Sequence, residues 1–451
     1  MEKKEDMREA ALDTLLDMDR NKKMSHIAIG DTLMRLQFIP KQDRAFYTHL
    51  CEGVTEQRIY LDYVLDSFSK TPMRKCKPLI RNLLRMSAYQ ILFMQVPDAA
   101  ACNEAAKLAK KRGFRNLAPF VNGVLRNLSR QKEQISLPDP KKESVRYLSV
   151  RYSMPEWIVQ LFLKQYGMED TQRILSSFLQ VRPLTIRTNL SRISAQELKE
   201  RLTREGVTVE EAPYLPYAYF IKDFNYLGKL PSFQEGLFAV QDISSMLSIS
   251  VADIHPGDLI LDLCAAPGGK TFHAADLLGE NGKIIARDLT EYKTDYIKEN
   301  KDRMQYNQVE IEQWDATVLD EKLLGKVDLV IADLPCSGLG IMGRKNDIKY
   351  HLQAQQLEEL VTLQRKILSN AYRYLKPGGQ MIYSTCTLND GENRENLAWM
   401  EKNTPLRLLS IEDALPDALK GRSGKAGYLQ LIPGKDACDG FFFAKFVNKG
   451  K

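Results

Sequence analysis

Hydrophobic positions recur every three or four residues through the first 130 positions of the chain. Met7, Ala11, Leu15 and Met18 form one stripe, and Leu79, Leu83 and Met86, with Ile80, Leu84 and Ile91, form another. Such spacing belongs to helices that bury one face. Only four glycines interrupt this stretch (Gly30, Gly53, Gly113 and Gly123), so an all-α bundle is expected over residues 1–135. A polar connector at residues 131–142, with Pro138 and Pro140, ends it. Beyond it the pattern mixes: residues 154–166 and 171–180 read as helices, and residues 183–188, 207–210, 218–221 and 237–240 as short strands. Ser194 and Glu197 have capping-box spacing ahead of a further helix. A small α+β domain is therefore expected over residues 143–235. From residue 236 to 451 apolar strands alternate with helices. Strands are expected at 258–263, 283–287, 309–313, 327–332 and 380–384, with helices at 270–278 and 356–375. That alternation predicts a doubly wound, Rossmann-like α/β sheet. Residues 428–432 and 441–446, joined through Pro433, Gly434 and Gly440, are expected to form an antiparallel hairpin at its edge.

Composition narrows the class. The 451 residues are 44% hydrophobic, enough for several real cores. No apolar run approaches the roughly 20 residues of a membrane span, and the first residues (MEKKEDMREA) are charged where a signal peptide would turn apolar. A cytoplasmic protein without a membrane partner is the expectation. Seven cysteines without paired CxxC spacing argue against a disulfide framework or a zinc site, so no metal is expected. The net charge is +6, unevenly placed: residues 1–140 hold 24 Lys and Arg against 17 Asp and Glu, and the remainder 40 against 41. Basic residues cluster at Arg74, Lys75, Lys77, Arg81 and Arg85, and again at Lys107, Lys110, Lys111, Arg112 and Arg115. Either cluster could follow a phosphate backbone or simply be a solvated helix face.

The most informative stretch is 261–271, LDLCAAPGGKT. It joins an expected strand to an expected helix, so its turn presents backbone N–H groups at a helix N-terminus, a cradle for a polar or anionic group. Gly268-Gly269-Lys270-Thr271 resembles the end of a nucleotide-triphosphate loop, and residues 327–333 (VDLVIAD) resemble the acidic strand that accompanies one. Against this, Cys264 stands where that loop needs glycine, and Pro267 removes an N–H donor. An adenosine-type cofactor accounts for more. Asp288 ends the second strand, 20 residues after Gly268, where a carboxylate can bind ribose hydroxyls. Asp315 follows the third strand, near an adenine, and Asp333 closes the fourth. Three carboxylates would repel a pyrophosphate but suit the cationic S-adenosylmethionine. Two thiols follow the neighbouring fourth and fifth strands, Cys336 within Asp333-Leu334-Pro335-Cys336-Ser337-Gly338 and Cys386 within Ser384-Thr385-Cys386-Thr387. A thiolate that adds to carbon 6 of a pyrimidine turns carbon 5 into an enamine-like nucleophile able to take a methyl group.

With those residues in view, the motifs LDLCAAPGGKT, DLPCSGLG, STCT, VQDISSM and CDGFFFAKF resemble the signature of the RNA cytosine-5 methyltransferases, the Nol/Nop/Sun family, over residues 143–448. The segments DRAFYTHLCEGVTEQ and NEAAKLAKKRGFRNLAPFVNGVLRN resemble the helical RNA-binding module of the NusB type over most of residues 5–130. The combination is similar to bacterial enzymes that modify 16S ribosomal RNA. The resemblance implies that Cys386 is the nucleophile and that Cys336 assists release of covalently held RNA. It implies that Cys264, Ala265, Ala266, Pro267, Gly268, Gly269 and Lys270 hold the methionine part of S-adenosylmethionine. Asp288 would then serve the ribose, Asp315 the adenine and Asp333 the cofactor together with the target base. It further implies naked or early-assembly 16S RNA as partner and the family target, cytosine 967, with the middle domain helping to hold the RNA. Leu334 and Leu339 replace the alanine and threonine usual around Pro-Cys, and the loop 343–347 is less rich in arginine and histidine than the family pattern. The rivals are the same reaction on tRNA and a noncatalytic RNA-binding assembly factor.

Overall fold

The computed structural model describes residues 5–450. They form two compact units, one running to Leu179 and taking in Met342–Ala354, the other comprising Gln180–Ile341 and the described residues from Gln355 onward.

In the first unit the expected helical stripes become one core. Helices Met7–Asn21, Lys41–Glu56, Arg58–Phe68, Pro78–Phe93 and Ala118–Gln131 converge on Leu12, Leu50, Leu61, Leu84 and Leu125, all fully buried. Each such leucine contributes about 1.5–3 kcal/mol. Pro78–Phe93 is enclosed nearly all round, so its polar residues need internal partners. Arg85 donates to both carboxylate oxygens of Asp62 at 2.7 and 2.6 Å, Asn82 donates to Asp19 at 2.9 Å, and Gln90 accepts from Arg8 at 2.8 Å. This corrects the sequence reading of Arg85 as available to a phosphate: it is buried and paired. The two expected helices form within Glu156–Phe178, separated by a non-helical Gly167, where φ is 72°. The helical unit thus continues to Leu179, beyond the connector at 131–142. The inserted segment Met342–Ala354 is anchored by the buried Lys349, whose Nζ donates to the carbonyls of Glu56 and Ser153 at 2.8 and 2.7 Å. Glu56 ends its helix, where unsatisfied carbonyls favour a cation.

The second unit contains two sheets. Strands β1 (Leu184–Thr188), β2 (Thr208–Glu211), β3 (Ala218–Lys222) and β4 (Phe238–Val240) form an antiparallel sheet in the order β2-β3-β1-β4. The Ser194–Glu197 capping box forms as expected. Strands β5 (Leu259–Asp262), β6 (Lys283–Asp288), β7 (Val309–Gln313), β8 (Val327–Asp333), β9 (Leu375–Thr385), β10 (Leu406–Leu408), β11 (Tyr428–Leu431) and β12 (Phe441–Asn448) build the larger sheet. Its path runs β10-β12-β9-β8-β5-β6-β7, with β11 also paired to β12. The strands β7-β6-β5-β8-β9 are parallel. The order reverses at β5, so a crevice opens at the carboxyl ends of β5 and β8. The expected hairpin is antiparallel, but β12 is not at the edge. It lies against β9 on one side and β10 and β11 on the other, and Phe441–Phe446 are therefore buried without alternation.

Candidate active site

Local sequence shapes the loop after β5. Gly268 takes φ 105°, and a Cβ there would lie 2.2 Å from the Phe272 ring, so the turn into helix Gly269–Leu278 requires glycine. The loop is pinned to the next strand by Asp288, whose Oδ2 accepts the Ala266 N–H at 3.0 Å. Its Oδ1 accepts from Leu289 N and Lys293 Nζ at 2.8 and 2.9 Å. Asp315 is exposed beyond β7, where its Oδ1 accepts the Thr317 N–H at 2.8 Å. That backbone hydrogen bond holds its carboxyl below the usual range.

The residues that resembled a triphosphate loop are committed elsewhere. Lys270 donates to Asp333 Oδ2 at 2.7 Å, with its ammonium 4.9 Å from the centre of the Phe441 ring. Thr271, fully buried, donates to Asp262 Oδ2 at 2.6 Å. Burial pushes the Asp262 carboxyl up to about 7, against the Thr271 hydrogen bond. Neither the lysine nor the hydroxyl is left for a phosphate or its metal. Strand-end carboxylates beside a helix N-terminus suit a ligand carrying both a cationic centre and a carboxylate, as S-adenosylmethionine does. Among the described residues no cluster of three or more His, Cys, Asp or Glu could hold a metal ion.

The two strand-end thiols meet. Cys336 Sγ and Cys386 Sγ lie 3.1 Å apart, and all seven cysteines are free. The neighbouring Cys386 sulfur, then burial, then the charge of Glu392 push the Cys336 thiol well above its ordinary range. Asp333 links this region to the loop after β5: its Oδ1 accepts from Ser384 Oγ at 2.7 Å while its Oδ2 accepts from Lys270 Nζ. Burial, with Asp262, Asp288 and Asp333 nearby, pushes the Cys264 thiol up and leaves it protonated. Cys51 and Cys102 are buried in the helical core, and Cys76 is half-buried there.

Several participants lay outside the sequence reading. Gly340 N donates to Cys386 O at 3.0 Å, and Gly440 N donates to Gly340 O at 2.9 Å. The final glycine of DLPCSGLG and that of CDGFFF are thus one backbone crossing against the Cys386 strand end. Their recurrence in two motifs was the available signal. Glu392, fully buried, accepts from Ser337; in a polar stretch such as NDGENREN nothing marked it. In the helical unit Arg81, Lys107, Lys111 and Arg112 pair with acids. Lys77 sits 5.4 Å over the ring of Phe114, the residue before Arg115 of the second cluster.

Comparison with known proteins agrees across the whole chain. Residues 249–447 match the family described as 16S rRNA methyltransferase RsmB/F, residues 5–130 the NusB family, and residues 154–224 the ferredoxin-like domain of RsmF/B-like methyltransferases. The chain is 34% identical over 452 residues to the "Probable ribosomal RNA small subunit methyltransferase B" of Bacillus subtilis (strain 168), covering 99% of this chain and 100% of that one. It is 30% identical over 410 residues to the ribosomal RNA small subunit methyltransferase B of Vibrio cholerae, covering 90% of each. The crystal structure of PH0851 shares the fold with a TM-score of 0.81, covering 98% of this chain and 100% of that one at 24% identity.

Proposed function

The chain belongs to the RsmB/F family of 16S rRNA methyltransferases, and from that premise we propose that it methylates carbon 5 of a cytosine in 16S rRNA through a covalent cysteine–cytosine adduct. As a member of that family it is an S-adenosylmethionine-dependent rRNA methyltransferase. The observation that carries the finer reading is the 3.1 Å contact between Cys336 and Cys386 beside the Lys270–Asp333 pair. One thiol can hold a proton while its neighbour attacks.

In this reading Cys386 adds to carbon 6 of the extruded base, and the C5–C6 π electrons become available at carbon 5. S-adenosylmethionine, when bound, supplies the methyl group that carbon 5 takes. A base then takes the carbon 5 proton, the C–H electrons re-form the C5–C6 double bond, and the Cys386–C6 bond breaks with its electron pair leaving on sulfur, Cys336 assisting that release. Asp333 serves the cofactor together with the target base, a role supported by its hydrogen bonds from Lys270 on one oxygen and Ser384 on the other. Residues 264–270 hold the cofactor's methionine part, Asp288 its ribose and Asp315 its adenine. The division of labour runs along the chain: residues 1–135 grip the RNA backbone, 143–235 help hold it, and 236–451 carry the chemistry. The partner is naked or early-assembly 16S RNA, and the compartment is the cytoplasm.

Bisulfite sequencing of ribosomal and transfer RNA from cells with and without the gene tests substrate and position together, with loss of one 16S 5-methylcytosine, at the family position 967, as the expected result. Cys386→Ala should abolish transfer, and Cys336→Ala should accumulate a protein–RNA adduct stable to denaturing gels. Full activity of Cys386→Ala would overturn the mechanism.

A further inference from the structure

The carboxylate of Glu392 is fully buried and gathers donors from three parts of the chain. Its Oε2 accepts from Ser337 N at 2.9 Å and Gln364 Nε2 at 3.0 Å, and its Oε1 from Ser337 Oγ at 2.6 Å and Asn389 Nδ2 at 3.1 Å. Every one of these donors is neutral. Enclosing a carboxylate costs several kcal/mol, a cost its hydrogen bonds must offset.

The consequence falls on the thiols. Cys336 is held from both sides: the carbonyl of Pro335 accepts from Gln364 Nε2 at 2.9 Å, and Ser337 donates to Glu392 through both its backbone and its hydroxyl. Cys386 is flanked in the same way. Thr385 Oγ1 bonds Asn393 Oδ1 at 2.6 Å, and Thr387 Oγ1 lies 2.6 Å from Ser337 Oγ. Gln364 is held in turn by Asn396 Nδ2 at 2.8 Å. Glu392 is therefore the point at which the Cys336 loop, the turn after Cys386 and helix Gln356–Tyr374 are joined.

We propose that Glu392 is the positioning residue of the thiol pair: by tying the segment that carries Cys336 to the turn that follows Cys386, its carboxylate sets the distance between the two sulfurs. The catalytic consequence rests on the cytosine-5 reading above, whereas the geometric one does not. An alkyl side chain could fill the same space but could not accept from Ser337 N, and a glutamine would set an NH2 against one pair of those donors.

The test uses the full-length chain with Glu392→Gln. Diamide, a thiol oxidant, takes the two thiol hydrogens of Cys336 and Cys386 as their S–S bond forms and is itself reduced to the hydrazide. The rate of that bond, followed by mass spectrometry of the 336–386 cross-linked peptide, reports sulfur placement without any RNA. In Glu392→Gln it should fall by about tenfold or more, because exchange chemistry needs the sulfurs in contact and in line. Methyl transfer to 16S transcript should fall by about a hundredfold in kcat, the effect of a roughly 1 Å misplacement, with the KM values and the S-adenosylmethionine Kd within about twofold of wild type. A folded variant that cross-links at the wild-type rate overturns the proposal, whatever its methylation. Slower cross-linking in a chain whose wild type methylates no cytosine supports the positioning role and overturns the cytosine-5 reading instead. Should Glu392→Gln fail to fold, Ser337→Ala decides: a slowed cross-link supports the clamp, and a wild-type rate overturns it.

Discussion

A methyl group added at Gly340 perturbs the site without touching any reacting atom. A Cβ there would lie 1.9 Å from Gly440 O, 2.5 Å from Gly440 C and 2.9 Å from Cys386 O. All three are backbone atoms of packed segments, so no flexible side chain can swing aside, and separation to ordinary contact requires a shift of more than about 1 Å. Both hydrogen bonds of the crossing, Gly340 N to Cys386 O and Gly440 N to Gly340 O, would be lost or lengthened, at about 1 kcal/mol each. Overpacking adds about 1–3 kcal/mol. Gly340→Ala should therefore lower stability by about 3–5 kcal/mol and the thermal midpoint by on the order of 10 °C. Because Cys386 O is one of the atoms pushed, the Cys386 thiol, the proposed nucleophile, moves with it, and single-turnover methylation should fall by about a hundredfold. Urea unfolding followed by circular dichroism, and single-turnover transfer to 16S transcript, measure the two effects. Wild-type values in both would mean that the three segments do not meet as described.

Further expectations come from buried charge and from exposed basic residues. Asp262, raised to about 7 by burial, binds a proton in the folded chain that its unfolded counterpart releases near 4. Its favourable contribution is therefore complete below about pH 4 and lost as pH rises through about 7. Asp262→Asn should accordingly stabilise the chain at pH 8 and leave it little changed at pH 5, by differential scanning calorimetry; a larger gain at pH 5 would contradict the assignment. Arg187 and Asp276 are both buried and paired, with Tyr306 Oη and Ser191 Oγ also donating to Asp276 at 2.8 and 2.7 Å. Asp276→Ala leaves the guanidinium unpaired and should cost about 3–5 kcal/mol in urea unfolding, while a loss under about 1 kcal/mol would argue against a closed pair. Replacing Arg74, Lys75 and Lys110 together by alanine should weaken 16S RNA binding and reduce the salt slope of log Kd by about 2; an unchanged slope would remove these residues from the RNA path.

Much of this molecule is legible in its residues. The stripes of residues 7–18 and 79–91 are core stripes, because 3.6-residue periodicity places them on one helix face wherever the helix ends up. The same holds for the parallel strands and for the loop LDLCAAPGGKT, whose glycine is required by its own turn. The less legible parts depend on contacts distant in sequence. Arg85 read as available to a phosphate because a sequence does not show that the fold buries it with its guanidinium against Asp62. The run from Phe441 to Phe446 read as an edge because hairpin signals are local, while its insertion beside β9 was decided by the burial of both faces.

The residue types alone determined the reagent set: two thiols and three acids at strand ends, with a lysine in a turn too poor in glycine for a triphosphate. Only the tertiary structure decided which of them meet. It paired Lys270 with Asp333 and thereby withdrew the lysine from any phosphate. It also brought Cys336 and Cys386, 50 residues apart, to 3.1 Å and enclosed Glu392 beneath them. Periodicity and turn chemistry act over a few residues and can be read along a chain, whereas the contact of two sulfurs depends on strand order and on a buried carboxylate whose partners only the folded sheet assembles.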